Sequence, residues 1–307
     1  MEPTVKVIAG PLEYGSAPFW YHKTQTLYFV NVFQSEIHQY DPKTNKHTCA
    51  KVGDQPVGFI IPLGDFDDKY LLGYGCDLVA VTWDGHSNQI SKLVKVEVVE
   101  TNENRISDGK ISPSGVLFVG RRTSGPGHLI SGNLSMNQGS LYSFKNCSSK
   151  KLLCDISISA GMAWDHNERT FFYTDSPEYR VERFCYNDET CELEQGCILY
   201  QFKDDNLCGF PCGITIDYDE HLWVSCFNDG QVLKIDPKIG RATTKIEIPH
   251  CPQITSVAFG GPNLDVLYVT SADINIKGKY KNAGSVFQVS GLGVRGNLSL
   301  PLYLMNK

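Results

Sequence analysis

The sequence predicts an all-β fold, a six-bladed β-propeller built as a single domain over residues 1–307, and three observations lead there. The first is a phrase. Gly213-Ile214-Thr215-Ile216 is followed by the acidic turn Asp217-Tyr218-Asp219-Glu220, then Leu222-Trp223-Val224-Ser225, then the alternating Gln231-Val232-Leu233-Lys234-Ile235-Asp236. Short apolar runs bounded by Asp, Gly and Pro are strands rather than helices. The second is repetition. Six copies of the phrase fill the chain, and the centres of their second runs (Tyr28, Leu72, Phe118, Phe172, Trp223 and Tyr268) lie 44 to 54 residues apart. Periods of roughly 40 to 50 residues with several short strands each are those of propeller blades. The third is composition. With 41% apolar and 20% charged residues the chain can bury a large core. Single blades cannot bury their faces alone, so the copies are expected to close into one ring.

In chain order, Val5-Lys6-Val7-Ile8 is a strand expected to close the ring beside Ser285-Val286-Phe287-Gln288-Val289. Phe19-Trp20-Tyr21-His22 and Leu27-Tyr28-Phe29-Val30 make the first copy. Phe59-Ile60-Ile61-Pro62 with Tyr70-Leu71-Leu72-Gly73 is a weaker second, and Ile111-Ser112-Pro113 with Val116-Leu117-Phe118-Val119 is the third. Ala163-Trp164-Asp165-His166-Asn167 leads into residues 170–175, and Ser256-Val257-Ala258-Phe259-Gly260-Gly261 into residues 266–270. Trp20, Trp164 and Trp223 stand inside these phrases, where core packing accounts for them. Two polar stretches break the rhythm, residues 122–138 and the Lys-rich 272–283. Each reads either as a rim over a site or as a tolerated surface insertion.

Composition also excludes. A net charge of −6 argues against a nucleic-acid surface and against anionic membrane. No run reaches the roughly 18 apolar residues of a membrane helix. The opening Met1-Glu2-Pro3-Thr4-Val5-Lys6 has no apolar leader region. Eleven cysteines show no zinc-like spacing. They read as reduced thiols of a cytoplasmic protein, or as disulfides of a secreted one if a leader has been removed. In the second case the sequons at Asn133, Asn146 and Asn297 would matter. The expectation is a cytoplasmic monomer with a small-molecule ligand and neither nucleic acid nor membrane as partner.

Four segments then carry a resemblance. Gly15-Ser16-Ala17-Pro18-Phe19-Trp20, Arg105-Ile106-Ser107-Asp108-Gly109-Lys110, Ala160-Gly161-Met162-Ala163-Trp164 and Pro211-Cys212-Gly213-Ile214-Thr215-Ile216-Asp217 occur in this order. They resemble the signature segments of the SMP-30/regucalcin/gluconolactonase family of six-bladed propellers. Residues 256–265 and 267–272 look like the closing blade of its insect members, the firefly luciferin-regenerating enzyme among them. The resemblance implies a lactonase-type hydrolase using Ca²⁺, Mg²⁺, Mn²⁺ or Zn²⁺. In the family pattern the three metal-ligand positions are Glu, Asn and Asp, the Asp doubling as catalytic base. Here they are Ser16, Ala160 and Cys212. A substrate-holding Asn is Ser107, whereas the family's Arg and Asp survive as Arg105 and Asp108.

A hydroxyl, a methyl and a thiol do not make a site for a hard cation, which needs several oxygen ligands with carboxylates among them. One thiol without His or further Cys is also a poor zinc set. No cofactor is therefore expected. Where the family carries Gly-Thr-Met, this chain has Gly120-Arg121-Arg122. Side chains alternate along a strand, so one of Arg121 and Arg122 is expected to join Arg105 in the channel. Asp108 is expected to hold Arg105. Guanidinium groups recognise carboxylate, sulfate or phosphate; alternatively these arginines pair with carboxylates on a solvated rim. Cys212 reads as an inert wall residue, since no base is fixed beside it. The resulting expectation is a pseudoenzyme-like propeller binding a small anionic or aromatic ligand through Ser16, Arg105, Ser107, Asp108, Arg121, Arg122, Ala160 and Cys212. The alternative is an active hydrolase with a rearranged or metal-free site.

Overall fold

The computed structural model describes residues 2–98, 104–123, 136–145 and 148–303. Among them, 24 strands form six antiparallel sheets of four, arranged as the blades of a propeller with two short 3₁₀ turns and no longer helix. The inner strands, in blade order 1 to 6, are Gly15–Tyr21, Val57–Pro62, Asn104–Ile111, Ser159–Trp164, Phe210–Ile216 and Ile254–Gly260. Each continues outward through antiparallel neighbours. Thr4–Ala9 is the outermost strand of blade 6, with Val5 opposite Val289 and Val7 opposite Phe287. The first and last strands thus meet in one sheet, and the ring has no open join.

The repeated phrase explains itself once folded. Its second run is the second strand of each blade. All six central residues are buried there, because both faces of that strand pack against neighbouring blades. Between blades 1 and 2, Tyr28 and Val30 meet Ile60 and Leu72; between blades 4 and 5, Phe172 and Val181 meet Ile214 and Val224. The acidic turn after the blade 5 inner strand is a hydrogen-bond hub. The fully buried carboxylate of Asp217 accepts from the His221 backbone N–H at 2.8 Å and the Trp223 indole N–H at 3.0 Å. Lys234 Nζ stands 3.1 Å away and balances its charge. Pairing and N–H donors are what a buried carboxylate requires.

A seam of hydroxyls ties the inner strands together near one end of the channel, here called the upper end. Ser107 donates to Ser159 O at 2.7 Å, Thr174 to Cys212 O at 2.8 Å and Ser225 to Thr255 O at 3.0 Å. Each bond crosses from one blade to the next. Gly161 allows blades 4 and 5 to approach closely: a Cβ there would collide with the Cys212 carbonyl oxygen. Of the two polar stretches, residues 124–135 lie outside the described part. Residues 272–283 fold back over the upper end, with Asp273 N–H donating to Glu13 O at 2.9 Å and Gln253 Nε2 to Ile274 O at 3.0 Å. Ile274 is buried in the process.

Candidate functional site

The inner strands start at the upper end, so the residues just before or at their starts surround one space. Ser16, Ala160 and Cys212 are contributed there by blades 1, 4 and 5. Around Cys212, Ala160, Tyr14, Phe33, Phe210 and Phe227 form an apolar cluster together with Ala272 and Ile274. Tyr14 meets Phe33 edge-on at 5.6 Å and stacks on Phe227 at 6.4 Å. The aromatic residues were not legible as site residues from their spacing. Tyr14 and Phe210 adjoin signature segments without belonging to them, while Phe33 follows the second strand of blade 1 and Phe227 ends that of blade 5.

Two cations face this cluster. Arg105 and Arg122 are opposite one another in the ladder between the first two strands of blade 3, and therefore share a face. The Arg105 guanidinium lies over the Phe33 ring at 5.3 Å. Both arginines are more than nine-tenths buried. Burial lowers both guanidinium pKa values from their ordinary range, and for Arg105 the like charge of Arg122 lowers it further. Burial pushes the Tyr14 phenol up to about 12, with Cys212 adding to the rise and Arg122 and Arg105 opposing it.

Arg121, expected as an alternative channel residue, lies elsewhere. It is paired with Ile106 and shares the opposite face with Val119, the face packed against blade 2. Its guanidinium is fully buried and donates to the Asn104 carbonyl at 2.5 Å. Its role is to satisfy the start of its own blade. Asp108 also departs from expectation. A bulge between Ile106 and Asp108 carries it further down the channel, where its charged neighbour is Lys110 rather than Arg105. Asp108 Oδ1 accepts the Gly109 N–H at 2.9 Å. Lys110 Nζ reaches across to Met162 O at 2.8 Å and Ile214 O at 2.9 Å. Burial raises the Asp108 pKa and Lys110 opposes the rise; burial lowers that of Lys110 and Asp108 opposes the fall. Ser107, at the bulge, is taken up in the hydroxyl seam, giving its hydrogen bond to Ser159 O.

The donor set at the upper end can be tested against a divalent cation. Ser16 offers a neutral hydroxyl, and Ala160 offers nothing. The Cys212 thiol is pushed up to about 11 by burial, with Ser176 at 3.5 Å and Arg122 opposing the rise, so it is a neutral thiol and not a thiolate ligand. Arg105 and Arg122 would repel a dication as well. The residues do not fit a metal. Among the described residues no group of three or more His, Cys, Asp or Glu side chains is placed to hold one. The same elevation of the thiol leaves Cys212 unactivated as a nucleophile. The ten described cysteines are all free thiols.

Comparison with known proteins follows the same line. A family model for the SMP-30/Gluconolactonase/LRE-like region matches residues 14–273. Regucalcin of Xenopus laevis is 30% identical over 295 residues, covering 94% of this chain and 95% of its own. Regucalcin of Homo sapiens is 30% identical over 287 residues, covering 92% of each. Among solved structures, a luciferin-regenerating enzyme matches with a TM-score of 0.91 at 33% identity, over 99% of this chain and 100% of that one. A calcium-binding protein, regucalcin, from Agrobacterium tumefaciens matches with a TM-score of 0.84 at 21% identity over 97% of both chains, a likeness of fold.

Proposed function

The chain belongs to the SMP-30/gluconolactonase/LRE-like family, and from that premise we propose that it binds a small anionic, aromatic-sized molecule at the upper end of its channel without a divalent metal. The observation that carries the reading is the exchange at one place of carboxylate-type ligand positions for Ser16, Ala160 and Cys212, beside Arg105 and Arg122. The two buried guanidinium groups lie on one face, and the charge of Arg122 lowers the Arg105 pKa. An anion between them would relieve that repulsion and gain charge-assisted hydrogen bonds. Tyr14, Phe33 and Phe227 supply flat apolar walls for a ring.

Hydrolysis by the family's route would need an activated water and a base. Neither is supplied by a neutral thiol, a hydroxyl and a methyl. The channel is accordingly read as a receptor for its ligand. The test is a thermal-shift screen of aromatic carboxylates, sulfates and phosphates, with calorimetry on each hit. Arg105→Ala and Arg122→Ala should each weaken a confirmed hit by about 10- to 100-fold. Saturable calcium binding that Cys212→Ala abolishes, or turnover of a simple lactone that the same substitution abolishes, would overturn the proposal in favour of a rearranged hydrolase.

A further inference from the structure

Away from the channel, blades 4 and 5 part to leave a cleft of about 430 Å³. Arg183, Cys185 and Cys197 line its blade 4 side; Glu220 and Lys238, from turns of blade 5, line the other. The first three come from the third and fourth strands of blade 4, Arg180–Asn187 and Glu192–Gln201. Arg183 is paired with Cys197 and stands two residues before Cys185, so all three share a face. The two sulfurs are set differently. Arg183 Nε–H donates to Cys197 Sγ at 3.2 Å, whereas the Cys185 thiol donates to Gln195 Oε1 at 3.7 Å. The charges of the cleft also differ. Its carboxylates are engaged by backbone N–H groups: Asp165 accepts from Arg169 and Thr170 at 2.8 and 3.0 Å, and Glu220 from His166 at 3.2 Å. Among the described residues its cations, Arg183 and Lys238, form no ion pair with a carboxylate.

These surroundings single out one thiol. Five described cysteines are exposed: Cys49, Cys154, Cys185, Cys197 and Cys208. Reactive cysteines sit in electropositive, accessible places, because sulfur attacks as the thiolate and a neighbouring cation favours that form. Among the described residues only Cys197 of the five accepts a hydrogen bond from a cation. Cys154 donates to Asp155 at 3.2 Å, and that bond raises its pKa; burial and the charge of Glu36 raise that of Cys49. The two cations then call for an anionic reagent, since guanidinium and ammonium groups both hold carboxylates. At roughly 30 Å³ per water-sized group the cleft has room for a short dicarboxylate disulfide.

We propose that this cleft is a modification site, in which Cys197 exchanges with a small carboxylate-bearing disulfide and keeps one half of it. The Cys197 thiolate attacks one sulfur of the reagent. A new S–S bond forms, the old one breaks, and the other half departs as a thiolate that takes up the proton Cys197 had released. Cys197 is oxidised and the departing half is reduced. Arg183 and Lys238 hold the carboxylate of the retained half. Cys185 does not displace it, because it lies diagonally from Cys197 across a bulge. Diagonal neighbours stand about 7–8 Å apart, beyond the usual span of a disulfide. The inference stands whether or not the upper end of the channel binds an anion.

The experiment uses three disulfides of one shape on the full-length protein: 3,3′-dithiodipropionate, bis(2-hydroxyethyl) disulfide and cystamine, which end in carboxylate, hydroxyl and ammonium. Adducts on each cysteine are followed in time by peptide mass mapping. The rate at Cys197 is divided by that at Cys208 in the same sample, which cancels the intrinsic reactivity of each reagent. With the dicarboxylate this ratio should be about tenfold or more, and it should fall from carboxylate to hydroxyl to ammonium. Arg183→Met should bring the ratio near one for every reagent. Lys238→Met should lower it about threefold for the dicarboxylate alone. Cys185→Ser should leave it unchanged. A Cys197 rate no greater than that of Cys208 overturns the site. Equal ratios for the three reagents overturn the carboxylate preference, and a ratio unmoved by Arg183→Met overturns the role of the guanidinium. A disulfide between Cys185 and Cys197 in place of the adduct would overturn the mixed disulfide as the end state.

Discussion

The two ends of one channel handle buried charge in opposite ways. At the upper end two guanidinium groups share a face beside an aromatic cluster, and the positions that resemble metal ligands carry no carboxylate. Lower down, a carboxylate and an ammonium two residues apart on one strand offset one another beside a cavity among the inner strands. The same inner strand of blade 3 supplies Arg105 to the first arrangement and Asp108 and Lys110 to the second. Low polarity amplifies both cases. Two like charges on one face favour an anion from outside; neighbouring charges of opposite sign favour one less. The channel is therefore two environments in series.

That contrast can be broken at several points. The largest effect is expected from rebuilding the upper end. Ser16→Glu, Ala160→Asn and Cys212→Asp together restore a hard donor set, but the new carboxylates would pair with Arg122. Adding Arg122→Met should therefore be needed for saturable calcium binding in the micromolar range by calorimetry, a gain of about 4 kcal/mol or more over a millimolar contact. Tight binding by the triple variant alone would show that Arg122 exerts little field at the site.

At the lower end, Lys110→Met strands Asp108 and removes donors from two carbonyls of neighbouring blades. Chemical denaturation should register a loss of about 3–5 kcal/mol. Asp108→Asn combined with Lys110→Met should recover most of it; failure to recover would mean that the carbonyl bonds, and not the charge pair, hold the blades.

Adjacent arginines sharpen the contrast further. Arg121→Met should cost about 1–3 kcal/mol of stability by exposing the unmet Asn104 carbonyl, and should leave anion binding intact. Arg122→Ala should do the reverse. A common effect of both on binding would mean that the blade 3 ladder, and not the Arg122 charge, shapes the upper site.

The smallest effect is a pH slope. Asp108 has its folded-state pKa raised to about 7 by burial, so the folded protein binds its proton more tightly than the unfolded chain does. Stability should fall as pH rises from the ordinary carboxylate range towards 7. Lys110 is lowered to about 8 by burial, so its contribution should return stability as pH rises above 8. Denaturation midpoints from pH 4 to 10 should show this shallow minimum in the wild type and lose it in Asp108→Asn with Lys110→Met.

Much of the molecule is decided by the sequence alone. The recurring phrase specifies six blades because a short apolar run buried on both faces can only be an inner layer of stacked sheets. The Val5-Lys6-Val7-Ile8 strand specifies the closure because its alternation matches Val286 to Val289 in register. The substitution of Ser16, Ala160 and Cys212 for ligand residues is likewise written in the chain. Tertiary structure decides the rest. Alternation shows that Arg121 and Arg122 diverge, but their faces are fixed by the ladder to Arg105. The bulge between Ile106 and Asp108 then separates Asp108 from Arg105 and gives it to Lys110, a shift of register that residue types do not announce. The aromatic cluster brings Tyr14 and Phe33 of blade 1 against Phe210 and Phe227 of blade 5, and the lower cavity needs all six inner strands. Local sequence sets what each strand is; which side chains share a space is set by how the closed ring brings strand ends together.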